Sequence, residues 1–339
     1  MKQITNFIGI DISKKTLDFC LIEEDGVFTE IKIDNQEEAI VNTLKSLFEE
    51  QKLTVENTLI CAEHTGHYTN ILSDVMRSNK YLYWLADPYT IKHSQGIKRG
   101  KNDTIDAERI ALFAKRNLDD VKLESIDNTQ FKDIAYLRSQ REIMVTDCAK
   151  YSAQLKDEKN YYSKEMYLKK QHKYKKIIAL LKENIKEIEA EINAIIKSDD
   201  KLKKQFEIIK SIDGIGPQTA LETIITTEGF TKFSNPRAFA CHAGCAPFKY
   251  ESGTSIRSKN RVSFRSNKAL KSLFHMSALS CINMKKGELK DYYNRKVAEG
   301  KNKMCVLNAM RSKLIHRIFA LIKSDRFYEK NIDIYLQNP

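Results

Sequence analysis

The sequence predicts an α/β N-terminal domain (residues 1–130), a helical coiled-coil arm (131–205) and a mainly α C-terminal domain (206–325). Three observations predict it. Strand-like and helix-like segments alternate over the first part, a 3-4 spacing of apolar residues takes over in the middle, and helical patterns dominate the rest.

The elements follow in order. "NFIGIDISKKTLDFCLIE" reads as two strands around a turn at Ser13 to Lys15, and "EEAIVNTLKSLFEEQ" has helical spacing at Ile40, Leu44, Leu47 and Phe48. "TLICAE" is a short buried strand, "YTNILSDVMRSN" a helix, and "YLYWLA" a strand that stops at Asp87-Pro88. A helix over Thr104 to Lys115 completes a β-β-α-β-α-β-α order, a mixed sheet flanked by helices. Ile178, Leu181, Ile185, Ile188, Ile192 and Ile195 form a heptad seam, and Met144, Cys148, Tyr151 and Leu155 repeat its spacing upstream. Two helices paired across "KNYYSKEMYLKKQHKYKK" follow from that, serving as a spacer or dimerisation arm. The C-terminal helices are broken by one clear loop, "GCAPFKYESGTSIRSKNRVSFRSN".

Composition narrows the partners. Among 339 residues the net charge is +12, with the Lys/Arg excess spread along the chain. That balance favours nucleic acid, because each neutralised phosphate releases a condensed counterion; a Lys-rich cytosolic protein has the same balance. No apolar run could span a bilayer, and the basic segments lack the Trp/Phe-rich faces of membrane-surface helices. The opening "MKQITNFIGIDIS" lacks the apolar core of a signal peptide, so a cytoplasmic protein is expected. Seven scattered cysteines without a C-x-x-C pair suit reduced thiols, and "CHAGC" lacks the second ligand pair of a zinc site.

The stretch "RGKNDTIDAERIALFAKR" sets Asp103 and Asp106 on one side of a helix's opening turn. Capping and the helix dipole by themselves account for such a pair. Two further acids change its meaning: Asp11 ends the first strand in "IGIDIS", and Glu63 ends another in "LICAEHTGHY". A charge terminating a buried strand is costly unless solvated, paired or bound to metal. Acids on neighbouring strand ends, together with two on a helix packed against the sheet, can converge on one point. Gathered carboxylates need a compensating cation, and hard oxygen ligands select Mg²⁺ or Mn²⁺. Such ions assist displacement at phosphorus, and Lys98, Arg99 and Lys101 would attract the phosphate.

The second half offers "IIKSIDGIGPQTALETII", a helix-hairpin-helix candidate. Gly214 and Gly216 would let the backbone approach a phosphate, or simply form a tight helix turn. Downstream, Ser252-Gly253-Thr254-Ser255 is followed by Arg257, Lys259, Arg261, Arg265 and Lys268. A hydroxyl in a Gly-containing turn beside several cations could attack a phosphodiester; Ser-Gly is equally a common turn dipeptide.

Strand order, the first-strand aspartate and the late D-x-x-D resemble a RuvC-like, RNase H-type nuclease domain. "GIDISKKTLDF", "AEHTGHY" and "KNDTIDAERIA" are similar to the acid motifs of DEDD transposases of insertion-sequence family 110, bridge-RNA-guided recombinases. Gly214 to Pro217, Gly244 to Pro247, Ser252-Gly253 and Arg261 to Ser263 resemble that family's C-terminal transposase domain, in order. The resemblance implies metal at Asp11, Glu63, Asp103 and Asp106, and a nucleophile at Ser252 with Ser255 as the local alternative. It also implies donor and target DNA, a structured guide RNA, and a homo-oligomer, a dimer assembling to a tetramer. Departures are Asn102 and Thr104 beside the acids, Cys245 in the G-L-A-P position, and Ser266 where relatives often have Gly. Two rivals stand beside this expectation: a RuvC-like nuclease in which water attacks, and a non-catalytic RNA/DNA-binding scaffold.

Overall fold

A computed structural model of the chain describes residues 4–23, 26, 28–94, 103–124, 129–248, 251–252, 256–257 and 262–329; at 28, 103–104, 251–252 and 256–257 it describes the backbone alone. The chain divides into two compact units, Met1–Asp127 and Asn128–Pro339.

The first unit is a five-stranded mixed sheet, β3-β2-β1-β4-β5, with β1 Asn6–Ile12, β2 Thr16–Ile22, β3 Phe28–Asp34, β4 Thr58–Glu63 and β5 Tyr83–Ala86. β1 pairs antiparallel with β2, and β2 with β3; β1–β4 and β4–β5 are parallel. β3 is a strand that the sequence reading passes over. At this sheet edge Thr29, Ile31 and Ile33 are half-buried while Glu30, Lys32 and Asp34 are exposed, so its apolar signal is half that of β1.

Side-chain alternation divides the sheet's two faces. Ile8, Ile10 and Ile12 of β1 pack with Ile60 and Ala62 of β4 beneath α1 (Glu37–Glu50) and α2 (Asn70–Ser78), which contribute Ile40, Leu44, Leu72 and Met76. Phe7, Leu59 and Cys61 face the other way, with Ile91 of α3 (Pro88–Ser94) and Ile110, Phe113 and Ala114 of α4 (Asp103–Arg116). Cys20 and Ile22 of β2 meet Ala107 and Ala111 on that same face. The small residues of α4 let it lie almost on the backbone of β1. A Cβ on Gly9 would meet the Ala107 carbonyl oxygen, the Ala111 nitrogen and, at 2.8 Å, the Ala111 methyl.

The second unit opens with α5 (Thr129–Asp157) and α6 (Lys164–Ser198). Arg141 bonds Glu189 at 2.6 Å, Tyr151 meets Tyr174 edge-on, and the Tyr167 hydroxyl donates to Leu155 O at 3.0 Å, so the two helices run antiparallel. The connection is shorter than the sequence suggests. Ser163 caps α6 by accepting from Met166 N, and the helix absorbs most of the Lys/Tyr-rich stretch. Towards its end the buried row becomes Ile188, Ile192 and Ile196, with Ile195 only half-buried, as the helix enters the C-terminal core.

That core gathers α7 (Asp200–Lys210), α8 (Pro217–Thr227), α9 (Pro236–His242), α10 (Lys268–Asn283), α11 (Glu288–Ala298) and α12 (Lys303–Ser324) around Phe239, Phe274, Met310 and Ile315. Asparagine caps set three of these starts: Asn235 accepts from Arg237 N, Asn267 from Leu270 N and Asn302 from Met304 N. Among the described residues no helix is long and apolar enough to cross a membrane.

Candidate functional site

Register and alternation together place the acids. Gly9 stands opposite Cys61 in the parallel β1–β4 pair, and both face α4. Two residues further along each strand come Asp11 and Glu63, on the same face of neighbouring strand ends. α4 runs back over this face: Ala107 and Ala111 lie at Gly9, and Phe113 and Ala114 pack with Phe7 and Leu59. Its opening turn, with Asp103 and Asp106, therefore overlies the strand ends that carry Asp11 and Glu63.

Electrostatics register the approach. Burial pushes the Glu63 carboxyl above the ordinary glutamate range, and the negative charges of Asp106 and Asp87 push it the same way. Asp106 accepts from Arg109 Nη1 at 2.6 Å, which offsets part of this repulsion. Asp87 has a task of its own, accepting from Tyr89 N and Thr90 N to start α3. For Asp103 the structure describes the backbone only. Among the described residues no three His, Cys, Asp or Glu side chains stand close enough to hold a metal ion. The donor chemistry nonetheless fits a hard divalent cation, since a crowded carboxylate with a raised proton affinity is what such a cation relieves.

Sequence reasoning passed over Asp18. It stands directly opposite Asp11 in the β1–β2 register, on the α4 face with Cys20 and Ile22, and is 5% exposed. Lys32, its register partner on β3, bonds it at 3.2 Å. A row Lys32–Asp18–Asp11–Glu63 thus crosses four adjacent strands at one level. The available signal was the one that marked Asp11, a lone acid in an apolar strand ("TLDFCLI").

In the second unit Ser252 lies in β6 (Glu251–Ser252), paired antiparallel with β7 (Ile256–Arg257) so that Ser252 stands opposite Ile256. The turn at the base of this hairpin is held from two sides. Asn267 N donates to His242 O at 2.8 Å, and Asn308 Nδ2 donates to Cys245 O at 2.9 Å. Gly244 (φ +63°) leaves room for Ser266, whose Oγ a Cβ would meet at 2.6 Å, so Ser266 is a packing partner of this turn. Burial pushes the Cys245 thiol up to about 11, and all seven cysteines are free.

The two hairpin glycines differ. Gly214 (φ +83°) is wedged against α10, where a Cβ would meet Cys281 Sγ and, at 2.6 Å, Ser277 O. Gly216 caps α8 ahead of Pro217 and faces open space. Arg265 and Lys268 are exposed, Arg265 just before α10 and Lys268 at its first residue. Lys98, Arg99, Lys101, Ser255, Lys259 and Arg261 lie outside the described residues, and Arg257 is described by its backbone.

Comparison with known proteins agrees with this layout. The family model "Transposase IS116/IS110/IS902 family" matches residues 206–294, and the IS110 DEDD model, described as "Transposase", matches residues 8–157. Over 330 residues the chain is 26% identical to the pilin gene-inverting protein of Moraxella lacunata, covering 96% of this chain and 98% of that protein. It is 30% identical over 145 residues to the insertion element IS110 uncharacterized 43.6 kDa protein of Streptomyces coelicolor, covering 43% of this chain and 34% of that one. One match spans the unit that carries the acids and runs into α5, and the other spans the hairpin glycines and the serine; this chain belongs to the IS110 family of transposases.

Proposed function

We propose that this transposase is a DNA recombinase whose first unit is a RuvC-like domain and whose nucleophile is Ser252. Asp11, Glu63, Asp103 and Asp106 would hold divalent metal, Mg²⁺ or Mn²⁺. When bound, the metal supplies charge neutralisation at the scissile phosphate. What supports the acid assignment is the raised proton affinity of Glu63, caused first by burial and then by Asp106. The 3-2-1-4-5 strand order, with three antiparallel strands leading into parallel crossovers, supports the RuvC-like reading.

Ser252 Oγ attacks phosphorus as its proton is removed. The bond to the 3′ oxygen breaks, the 3′-hydroxyl leaves with a proton, and the 5′ phosphate stays on the serine. Attack by another strand's 3′-hydroxyl reverses the step and rejoins the DNA, so no external energy source is needed. The name of the Moraxella relative, a pilin gene-inverting protein, supports rearrangement of DNA segments as the outcome. A structured RNA as guide and a dimer assembling to a tetramer belong to this reading, and the +12 net charge accommodates the RNA.

The test is to incubate the chain with its element's flanking transcript and DNA in Mg²⁺, and to isolate protein-linked strands. A 5′-phosphoserine at residue 252, lost in Ser252→Ala and in EDTA, is expected. Cutting and joining by Ser252→Ala would instead favour a nuclease in which water attacks.

A further inference from the structure

α12 carries Arg311 into the C-terminal core, where it is 5% exposed. Its Nη2 donates to His275 Nδ1 at 2.8 Å, and its Nε has no partner. No carboxylate pairs with it among the described residues. Burial and the Arg311 charge push the His275 pKa down, so the imidazole is neutral and accepts that bond. Arginine cannot discharge by losing its proton, so this is a buried cation without a counter-charge. Such a group calls for an anion.

An open cavity of about 740 Å³ adjoins it, lined among the described residues by Arg311, Lys271, Asn308, Met304, Cys305, Pro247 and Val262. That volume suits a nucleotide-sized ligand, and among the described residues no acid lines the cavity. Pro247 and Val262 bracket in sequence the segment that holds Ser252. Asn308 also ties the turn at the base of the hairpin through Cys245 O.

We propose that Arg311 and Lys271 form a pocket for a backbone phosphate of the DNA strand this chain acts on. The choice of DNA rests on the reading of Ser252 as nucleophile; the anion site rests on the uncompensated guanidinium. Arg311 would give the planar, directional contact and Lys271 the movable charge.

Two measurements on the full chain test the pocket. In [¹⁵N]arginine-labelled protein, inorganic phosphate should shift one Nε–H resonance, the one missing in Arg311→Lys. DNA should slow alkylation of Cys305, which lies exposed on the cavity wall. Lys271→Met, at a half-buried surface position, should weaken DNA binding roughly tenfold and lower its log–log salt slope by about one, with unchanged thermal unfolding. No phosphate shift together with no protection of Cys305 overturns the pocket. Protection by RNA but not by DNA overturns the DNA assignment. If Lys271→Met binds DNA and forms the serine adduct like the unmodified chain, the pocket falls and the nucleophile reading stands. Lys271-dependent DNA binding without any serine adduct gives the reverse.

Discussion

Gly9 and Ala107 touch backbone to backbone: the strand that carries Asp11 and the helix that carries Asp106 have no space for a side chain between them. A Cβ at Gly9 would fall within contact of the Ala107 carbonyl oxygen and 2.8 Å from the Ala111 methyl. Gly9→Ala must push α4 away from the sheet. We expect a loss of about 1–3 kcal/mol or more in urea unfolding. Any divalent-metal stabilisation should fall with it, because Asp106 moves with the helix.

Glu63 makes a pH-dependent prediction. Its folded pKa is raised, so the folded chain holds this proton to higher pH than the unfolded chain does. Stability is therefore lost as pH rises from the ordinary glutamate range through the raised folded value. Glu63→Gln removes that loss. The variant should melt above the parent at neutral pH and coincide with it in acid. Mg²⁺ should raise the parent's melting temperature more than the variant's; equal shifts would count against Glu63 as a metal ligand.

The two hairpin glycines should separate packing from binding. Gly214→Ala places a side chain at φ +83° against Cys281 and Ser277, and should cost at least about 2 kcal/mol. Gly216→Ala meets nothing within 4 Å and should unfold like the parent. If the start of α8 contacts a phosphate, the Gly216 variant alone weakens DNA binding at constant stability, which a salt-dependent binding titration would show.

Arg138 on α5 holds Glu222 on α8 at 2.8 Å, and the Glu222 side chain is only 9% exposed. Burial raises the Glu222 pKa and Arg138 opposes that rise. Arg138→Ala should destabilise by about 1–3 kcal/mol at neutral pH, discounted because Arg138 is partly solvated. The penalty should shrink in acid, where Glu222 is neutral, and adding Glu222→Gln should restore most of it. Chemical denaturation at two pH values measures both effects.

Much of this layout was legible in the residues. An apolar run ending in an acid marks β1 and β4, the stretch Thr104 to Lys115 reads as the helix α4, and the glycines and Pro217 mark the start of α8. Other parts were not legible. β3 shows half the apolar signal of a central strand, and Asp18 lies in the same "GIDISKKTLDF" stretch as Asp11, where only strand register puts the two acids side by side. Gly214 reads equally as a phosphate contact or a tight helix turn, and only the structure shows that it packs on a helix more than sixty residues downstream (Ser277 and Cys281).

By itself the sequence determined most of the strands and helices, because periodicity and local turn chemistry act over a few residues. Tertiary structure decided which strands are neighbours, and so that Asp11 stands between Asp18 and Glu63 under the opening turn of α4. It also decided that Arg311 is buried with its guanidinium on His275 Nδ1. Register and burial depend on contacts between residues far apart in the chain, and no local pattern records them.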